Sequence, residues 1–186
     1  MGARQRRRVP LTPGKRDTRE SFDPVLTQRG FRDVLGCFST GVVLVTAESE
    51  GGPVGMAVNS FTSVSLDPPL IAFCAALTST TWPVIRATSG FAITILSDTQ
   101  EEVCRTFSAR EADRFSGQGW ARTPAGRPVA ADGLGWLDCR IRTVQVEGDH
   151  ELVIAEVVDW SMGADARPLI FHSGRYVSLT ERSRAE

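Results

Sequence analysis

Residues 55–69, GMAVNSFTSVSLDPP, constrain this chain more than any other stretch. From Gly55 to Asn59 the residues alternate like a strand. Hydroxyls then follow at Ser60, Thr62, Ser63 and Ser65. Asp67-Pro68-Pro69 ends the run, because each proline removes a backbone donor and fixes φ, which suits neither a helix nor a strand interior. A small apolar strand that opens into hydroxyls and free amides suits a phosphate or a carbonyl-rich ring. The same residues also describe an edge strand with a Ser/Thr-rich turn.

The surrounding pattern is mostly strand. Phe31, Val34, Leu35 and Phe38 fall on one helix face, and Gly41 stands where a helix would stop, so a helix is expected over about Val25 to Ser39. Val42–Ala47 and Val54–Asn59 form a hairpin around the turn Glu48–Pro53. Leu70–Leu77 is apolar on both faces, as in a central strand. Thr78-Ser79-Thr80-Thr81 before Trp82-Pro83 starts a short helix that runs to about Thr88 and stops at Gly90. Phe91–Leu96 is a strand, and Ser97 with Gln100 makes a capping box for a helix that carries Val103 and Phe107 and ends near Ala109.

Residues 110–133 read as a long loop, with Arg114-Phe115, Trp120 and Pro124 as landmarks. Leu137, Cys139 and Ile141 alternate with polar residues, and the phase flips after Thr143, which predicts a β-bulge. Glu147-Gly148-Asp149 is a turn, His150 opens the next strand, and a final strand covers Leu169–Leu179 with an interruption at His172-Ser173-Gly174. Short connections, few helices and no strand–helix–strand alternation predict a closed or partly closed antiparallel barrel.

A chain of 186 residues makes one domain with a core of its own, over residues 23–180. Residues 1–22 hold Arg4, Arg6, Arg7, Arg8, Lys15, Arg16 and Arg19 against Asp17 and Glu20, and are expected to be a disordered basic tail; 181–186 form a short C-terminal tail. The body lacks the basic stripe of a nucleic-acid binder, and no apolar run is long enough for a membrane span. No apolar segment follows the basic start, so a secretory signal is not expected, and a cytoplasmic location is. Cys37, Cys74, Cys104 and Cys139 are widely spaced inside apolar segments and read as reduced core thiols.

Signatures of other chemistries fail. No G-x-G-x-x-G follows a strand, and Gly14-Lys15 lacks the upstream glycine of a P-loop. His150-Glu151 is followed by Ile154 where a zinc protease needs its second histidine, and Cys37 occupies the glycine place of a hydrolase elbow around Ser39. Two histidines with no paired ligand spacing give no catalytic metal site. Redox or group-transfer chemistry would need an organic cofactor.

GMAVNSFTSVSLDPPLIAF, TSTT before Trp82, FAITIL, Gly148-Asp149-His150 and PLIFHSGRY, in this order, resemble the short-chain NAD(P)H-dependent flavin reductases, the reductase components of two-component flavin monooxygenases. The resemblance runs from Phe31 to Leu179. It implies a mainly β fold with a few short helices, a split β-barrel of the FMN-binding, Greek-key type. It also implies a homodimer with flavin near the subunit interface. Matching residues imply flavin contacts from Thr40, Val42, the backbone of Met56, Ala57, Val58 and Asn59, the hydroxyls of Ser60 and Ser63, and Cys74, Ala75 and Ala76. Ser79 and Thr80 would continue the polar wall at a helix start that favours phosphate, and Phe107 would approach the cofactor.

Phe107-Ser108 replaces the family's usual Phe-Ala, and Ile93-Thr94 its frequent Val-Asn. By spacing alone His150 reads as a turn histidine without a role; the resemblance reverses this and implies that it meets the nicotinamide nucleotide, with Asp149 holding its ring. His172, Ser173, Gly174, Arg175 and Tyr176 form a second nucleotide surface, where Arg175 is either a phosphate partner or a solvated strand-end charge.

The implied activity is hydride transfer from nicotinamide C4 to flavin N5, with no side-chain acid or base required, and delivery of reduced flavin to a partner monooxygenase. FAD is expected with FMN accepted, and NADH with NADPH possible. The alternatives are a non-catalytic flavin carrier on the same barrel and an FMN-barrel oxidase of pyridoxal-type phosphates. The latter would need more Arg and Lys than residues 54–108 hold.

Overall fold

A computed structural model describes residues 24–88, 90–109, 112–117 and 119–179, with side chains from Gln28 onward. The expectations for residues 1–22 and 181–186 lie outside the described residues. In chain order the elements are α1 (Pro24–Gly36), β1 (Thr40–Gly41), β2 (Val43–Ser49), β3 (Gly52–Val58), β4 (Thr62–Leu66) and β5 (Pro69–Ala76). Next come α2 (Trp82–Arg86), β6 (Phe91–Ile95), a 3-10 turn at Asp98–Gln100, α3 (Glu101–Ser108), β7 (Trp120–Arg122) and β8 (Pro128–Ala130). The chain finishes with β9 (Gly135–Glu147), β10 (His150–Met162), β11 (Ile170–His172) and β12 (Arg175–Val177). The protein is mainly β with few helices.

Among the described residues, seven strands pair in the order β3-β2-β6-β9-β10-β5-β4, and every pairing is antiparallel. Their apolar side chains fill both faces. Val43, Val45 and Ala47 of β2 pack with Phe73, Phe91, Ile93 and Val153, under Trp82 and Ile85 of α2. Val42 and Leu44 face the other way, toward Leu96, Cys104, Phe107 and Leu169. The alternation of a strand therefore becomes an unbroken buried run in β2, because each face has its own helix. Phe73, Trp82 and Phe91 meet edge to face, with centroids 5.3, 5.7 and 6.4 Å apart.

The hairpin, the central strand and the helix starts follow the sequence expectations, with shifted ends. Ser97 N–H donates to Gln100 Oε1 at 3.1 Å, so the capping box forms, although its first turn is 3-10. In the β9–β10 ladder Arg142 is the extra residue, which places the expected bulge one residue before the phase flip; Val158 makes a second bulge.

Other expectations are corrected. Gly41 does not stop α1; the helix ends at Gly36, and the N–H groups of Cys37 and Phe38 donate to Val34 O and Leu35 O at 3.1 and 3.0 Å. The hydroxyl row does not stay a turn: residues 62–66 form edge strand β4, because Asp67-Pro68 turns the chain back onto β5. The loop over 110–133 contains the β7–β8 hairpin. The final strand is a hairpin, since Ser173 and Gly174 take positive φ of 47° and 75° and reverse the chain. Cys104 and Cys139 are buried, but Cys37 and Cys74 are exposed.

Of the expected helix face, Phe31, Val34 and Leu35 lie on α1 and Phe38 just past its end, and all four are uncovered, with 56–76% of each residue exposed. Asp138, by contrast, is buried: its carboxylate accepts from Arg127 Nη1 and from Thr123 Oγ1 at 2.9 Å, pinning the β7–β8 hairpin to β9.

Candidate flavin groove

Ser60 shows how the sheet makes a groove. β3 and β5 lie far apart in the strand order, yet Cys74 N–H donates to Ser60 Oγ at 2.9 Å and Ser60 Oγ donates to Cys74 O at 3.2 Å. The sheet therefore curls until the exit of β3 meets β5, without a ladder between them. Between them opens a cavity of about 830 Å³. Met56, Ala57, Val58, Asn59 and Ser60 form one wall; Cys74, Ala75 and Ala76 form another. Thr78, Ser79, Thr80 and Thr81 supply hydroxyls at one end, and Phe107, Ser108, Ala109, Arg114 and His150 complete it.

Gly55 lets α3 reach this wall. A Cβ at Gly55 would lie 2.7 Å from the Phe107 ring and 2.8 Å from Thr46 Cγ2. Phe107 is held from behind by Phe115 and Trp120, with centroids at 5.2 and 5.4 Å. Arg114 ties three elements together. Its Nη1 donates to Gly55 O at 3.2 Å and Thr81 Oγ1 at 3.1 Å, and its Nη2 to Ala109 O at 3.0 Å. Its Nε is buried with no hydrogen-bond partner among the described residues. The five-residue α2 adds little dipole, so hydroxyls and Arg114 carry the polarity of this end. Ser79 Oγ accepts from Trp82 N–H at 3.1 Å, which caps α2; Thr81 makes no side-chain cap.

His150 opens β10 directly opposite Ala76. Its Nδ1 lies 2.7 Å from Asp149 Oδ1, and this hydrogen bond to the imidazole, before the charge attraction, lowers the Asp149 pKa. An ionised Asp149 makes Nδ1 the donor and leaves Nε2 to a ligand.

The remaining expected residues lie elsewhere. Ser63 is on β4 opposite Ile71 and does not line the groove. Val42 and Tyr176 line an adjoining pocket of about 190 Å³ that shares Ala57, Val58, Asn59 and Ser108 with the groove. Tyr176 OH is 3.1 Å from Cys104 Sγ, and Arg105 lies 5.0 Å over its ring. Burial first, then the Cys104 contact, pushes the Tyr176 phenol up to about 12. Thr40, Ser173 and Gly174 line a cavity of about 890 Å³ beside α1, which shares Asn59 and Ser60 with the groove. Thr40 Oγ1 is buried and has no hydrogen-bond partner among the described residues. His172 is held by Ser39 and Ser173 hydroxyls at 3.0 and 3.3 Å, and Arg175 is exposed, away from the groove.

Thr78, Thr81, Ser108, Ala109 and Arg114 were absent from the expected contacts. Thr78 and Thr81 belong to the TSTT run and Ser108 follows Phe107, so the signal lay in those motifs. Arg114 is brought in by bonds to residues 59 and 33 positions away, which leave no local spacing to read.

The groove fits a flavin. Its size falls within the roughly 300–1,000 Å³ of cofactor clefts. Its walls are apolar where a ring would stack, its hydroxyls suit a polyol chain, and the Arg114 guanidinium in its lining suits an anion.

The chain is a mainly β protein whose curled sheet carries a candidate flavin groove. Residues 35–180 match the family described as Flavin reductase like domain, and the chain belongs to that family. It is 38% identical over 160 residues to the reductase subunit HsaB of a flavin-dependent monooxygenase from Rhodococcus jostii, covering 86% of this chain and 80% of that one. Its fold is similar to nitrilotriacetate monooxygenase component B from Mycobacterium thermoresistibile, with TM-score 0.82, 38% identity and 88% and 93% of the two chains covered. It is also similar to the NADH:FAD oxidoreductase SgcE6 of Streptomyces globisporus, solved with NAD and FAD fragments, with TM-score 0.79, 31% identity and 90% and 100% coverage.

Proposed function

We propose that the protein is an NADH-dependent flavin reductase that releases reduced flavin to a partner monooxygenase. The carrying observation is the groove itself, lined by His150 and Arg114 together with the small residues of Met56–Asn59 and Cys74–Ala76. The names of the relatives, a monooxygenase reductase subunit and an NADH:FAD oxidoreductase, support it. Bound flavin would supply the hydride acceptor at N5, and nicotinamide C4 the donor.

The residues of the chain bind and orient. Met56–Asn59 and Cys74–Ala76 present backbone and small side chains to the ring, and Phe107 closes it from water. Thr80, Thr81 and Arg114 hold the phosphate end. His150, oriented by Asp149, donates or accepts at the nicotinamide carboxamide, while proximity rather than proton transfer provides the rate. Changing His150→Ala is expected to raise the NADH KM at least fivefold while leaving flavin Kd within about twofold. Unchanged NADH kinetics would remove His150 from this role.

The sheet is read as a split barrel that works as a homodimer. The exposed apolar residues of α1 and of the turn after it support this: Phe31, Val34, Leu35 and Phe38 are all open, and Leu35 and Phe38 line the cavity that holds Thr40 and Ser60. A second copy seated there would lie next to the groove. Light scattering that gives twice the chain mass supports the dimer, and a monomeric mass at micromolar concentration refutes it.

A further inference from the structure

α3 brings Phe107 and Ser108 to the groove, yet it is a helix of only eight residues. Ser108 Oγ donates back to Cys104 O at 2.9 Å, and Arg105 closes on Glu101 at 2.6 Å, so these bonds stay inside the helix. Cys104 makes a bond that leaves it: its Sγ lies 3.1 Å from Tyr176 OH.

Tyr176 is placed from outside α3. It sits on β12 opposite Phe171 of β11, with ring centroids 5.4 Å apart, and Arg105 covers its ring at 5.0 Å. The hairpin is itself anchored, since β11 pairs with β1 and Ser173 N–H donates to Gly36 O at 2.9 Å. Burial raises the pKa of the Cys104 thiol, as it does that of the Tyr176 phenol, so at neutral pH both keep their protons and the pair is an uncharged hydrogen bond. Cys104 is 2% exposed, and a bond broken in such a setting is not replaced by water.

Neither Cys104 nor Tyr176 lines the groove; both line the smaller pocket that shares Ser108 with it. Phe107 follows Cys104 by three residues, so the two lie on one face of α3, and both are buried in the same apolar cluster. A shift of Cys104 therefore shifts Phe107, whose ring already stands against Gly55 with no room for a Cβ.

We infer that Tyr176 is a positioning residue for the flavin groove: through Cys104 it fixes α3, and with it the seat that Phe107 and Ser108 give the bound ring, instead of contacting the nicotinamide nucleotide. This rests on the flavin reading of the groove.

The Kd of FMN and FAD, and the NADH KM at saturating flavin, are measured for the parent, Tyr176→Phe, Cys104→Ala and the double variant, at a temperature where calorimetry shows each folded. Tyr176→Phe keeps the ring and removes only the hydroxyl. It is expected to raise the Kd of both flavins about fivefold, the worth of one hydrogen bond, and to leave the NADH KM within about twofold. Cys104→Ala is expected to weaken flavin binding at least as much, and the double variant to be no weaker than Cys104→Ala alone, because both changes break the same bond. An unchanged flavin Kd in Tyr176→Phe, or losses that add in the double variant, would overturn the inference while the groove reading stands. A raised NADH KM with constant flavin Kd would overturn it in favour of a nucleotide contact. A parent that binds neither flavin would bring down the groove reading itself.

Discussion

Replacing Asp138 with alanine should unfold this protein more readily than any surface change. Asp138 is 1% exposed and pairs with Arg127, whose side chain is 11% exposed; Thr123 Oγ1 also donates to it at 2.9 Å. Asp138→Ala leaves the guanidinium buried without its counter-charge and the Thr123 hydroxyl without its acceptor. Breaking one side of a buried pair costs about 3–5 kcal/mol, because the remaining charge has lost its water as well as its partner. For a chain of this size each kcal/mol lowers Tm by about 2–4 °C, so the expected loss is roughly 6–20 °C. Urea titration and differential scanning calorimetry read both quantities. The double variant Asp138→Leu/Arg127→Met removes both charges together and should recover most of the loss. A single-variant loss below about 1 kcal/mol, the range of exposed pairs, would refute the burial argument. The same pair anchors the hairpin that carries Trp120 against Phe107, so Asp138→Ala should also weaken flavin binding.

Gly55→Ala drives a methyl into Phe107 and Thr46, both packed, and should cost about 1–3 kcal/mol and raise flavin Kd; a variant as stable as its parent would contradict the close approach. Arg114→Met removes the guanidinium bonds to Gly55 O, Thr81 Oγ1 and Ala109 O, and should weaken FMN binding more than riboflavin binding; equal losses in a titration of both would deny it the phosphate. Burial first, then the Asp138 charge, pushes the Cys139 thiol from 9.0 up to about 12. The folded state thus keeps a proton that the unfolded chain releases. Stability is complete below the ordinary thiol range and falls as pH rises through about 12. Urea midpoints of Cys139→Ala should fall less steeply between about pH 8 and pH 11 than those of the parent.

The pattern of strands was legible because period-two alternation and turn residues are local signals: the β2–β3 hairpin, the Gly148 turn and the Arg142 bulge all follow from them. What the sequence hides is which side of an element meets what. The i, i+3, i+4, i+7 face of α1 has the look of a core face, yet it is left open, since periodicity records that a face is apolar and not which surface covers it. Cys74 sits in an apolar strand but points into the groove, where burial stops. Residues 62–66 were polar enough to pass for a turn because an edge strand with a solvated face needs no apolar alternation. At the site, every flavin contact expected from Met56 to Ser60 and from Cys74 to Ala76 lies in one cavity, because each set is a continuous strand end. Arg114 was legible only as a loop landmark, because the bonds to Gly55 O and Thr81 Oγ1 that tie it to the groove span 59 and 33 residues.

The central claim, that this groove passes reducing equivalents from nicotinamide to free flavin, is tested by mixing the purified protein with NADH and FAD under anaerobic conditions and following the reduced-nicotinamide absorbance. The expected result is loss of that absorbance at a rate that saturates with FAD, with bleaching of the flavin in equal molar amount. Tight FAD binding without NADH consumption would contradict it and leave a flavin carrier on the same fold.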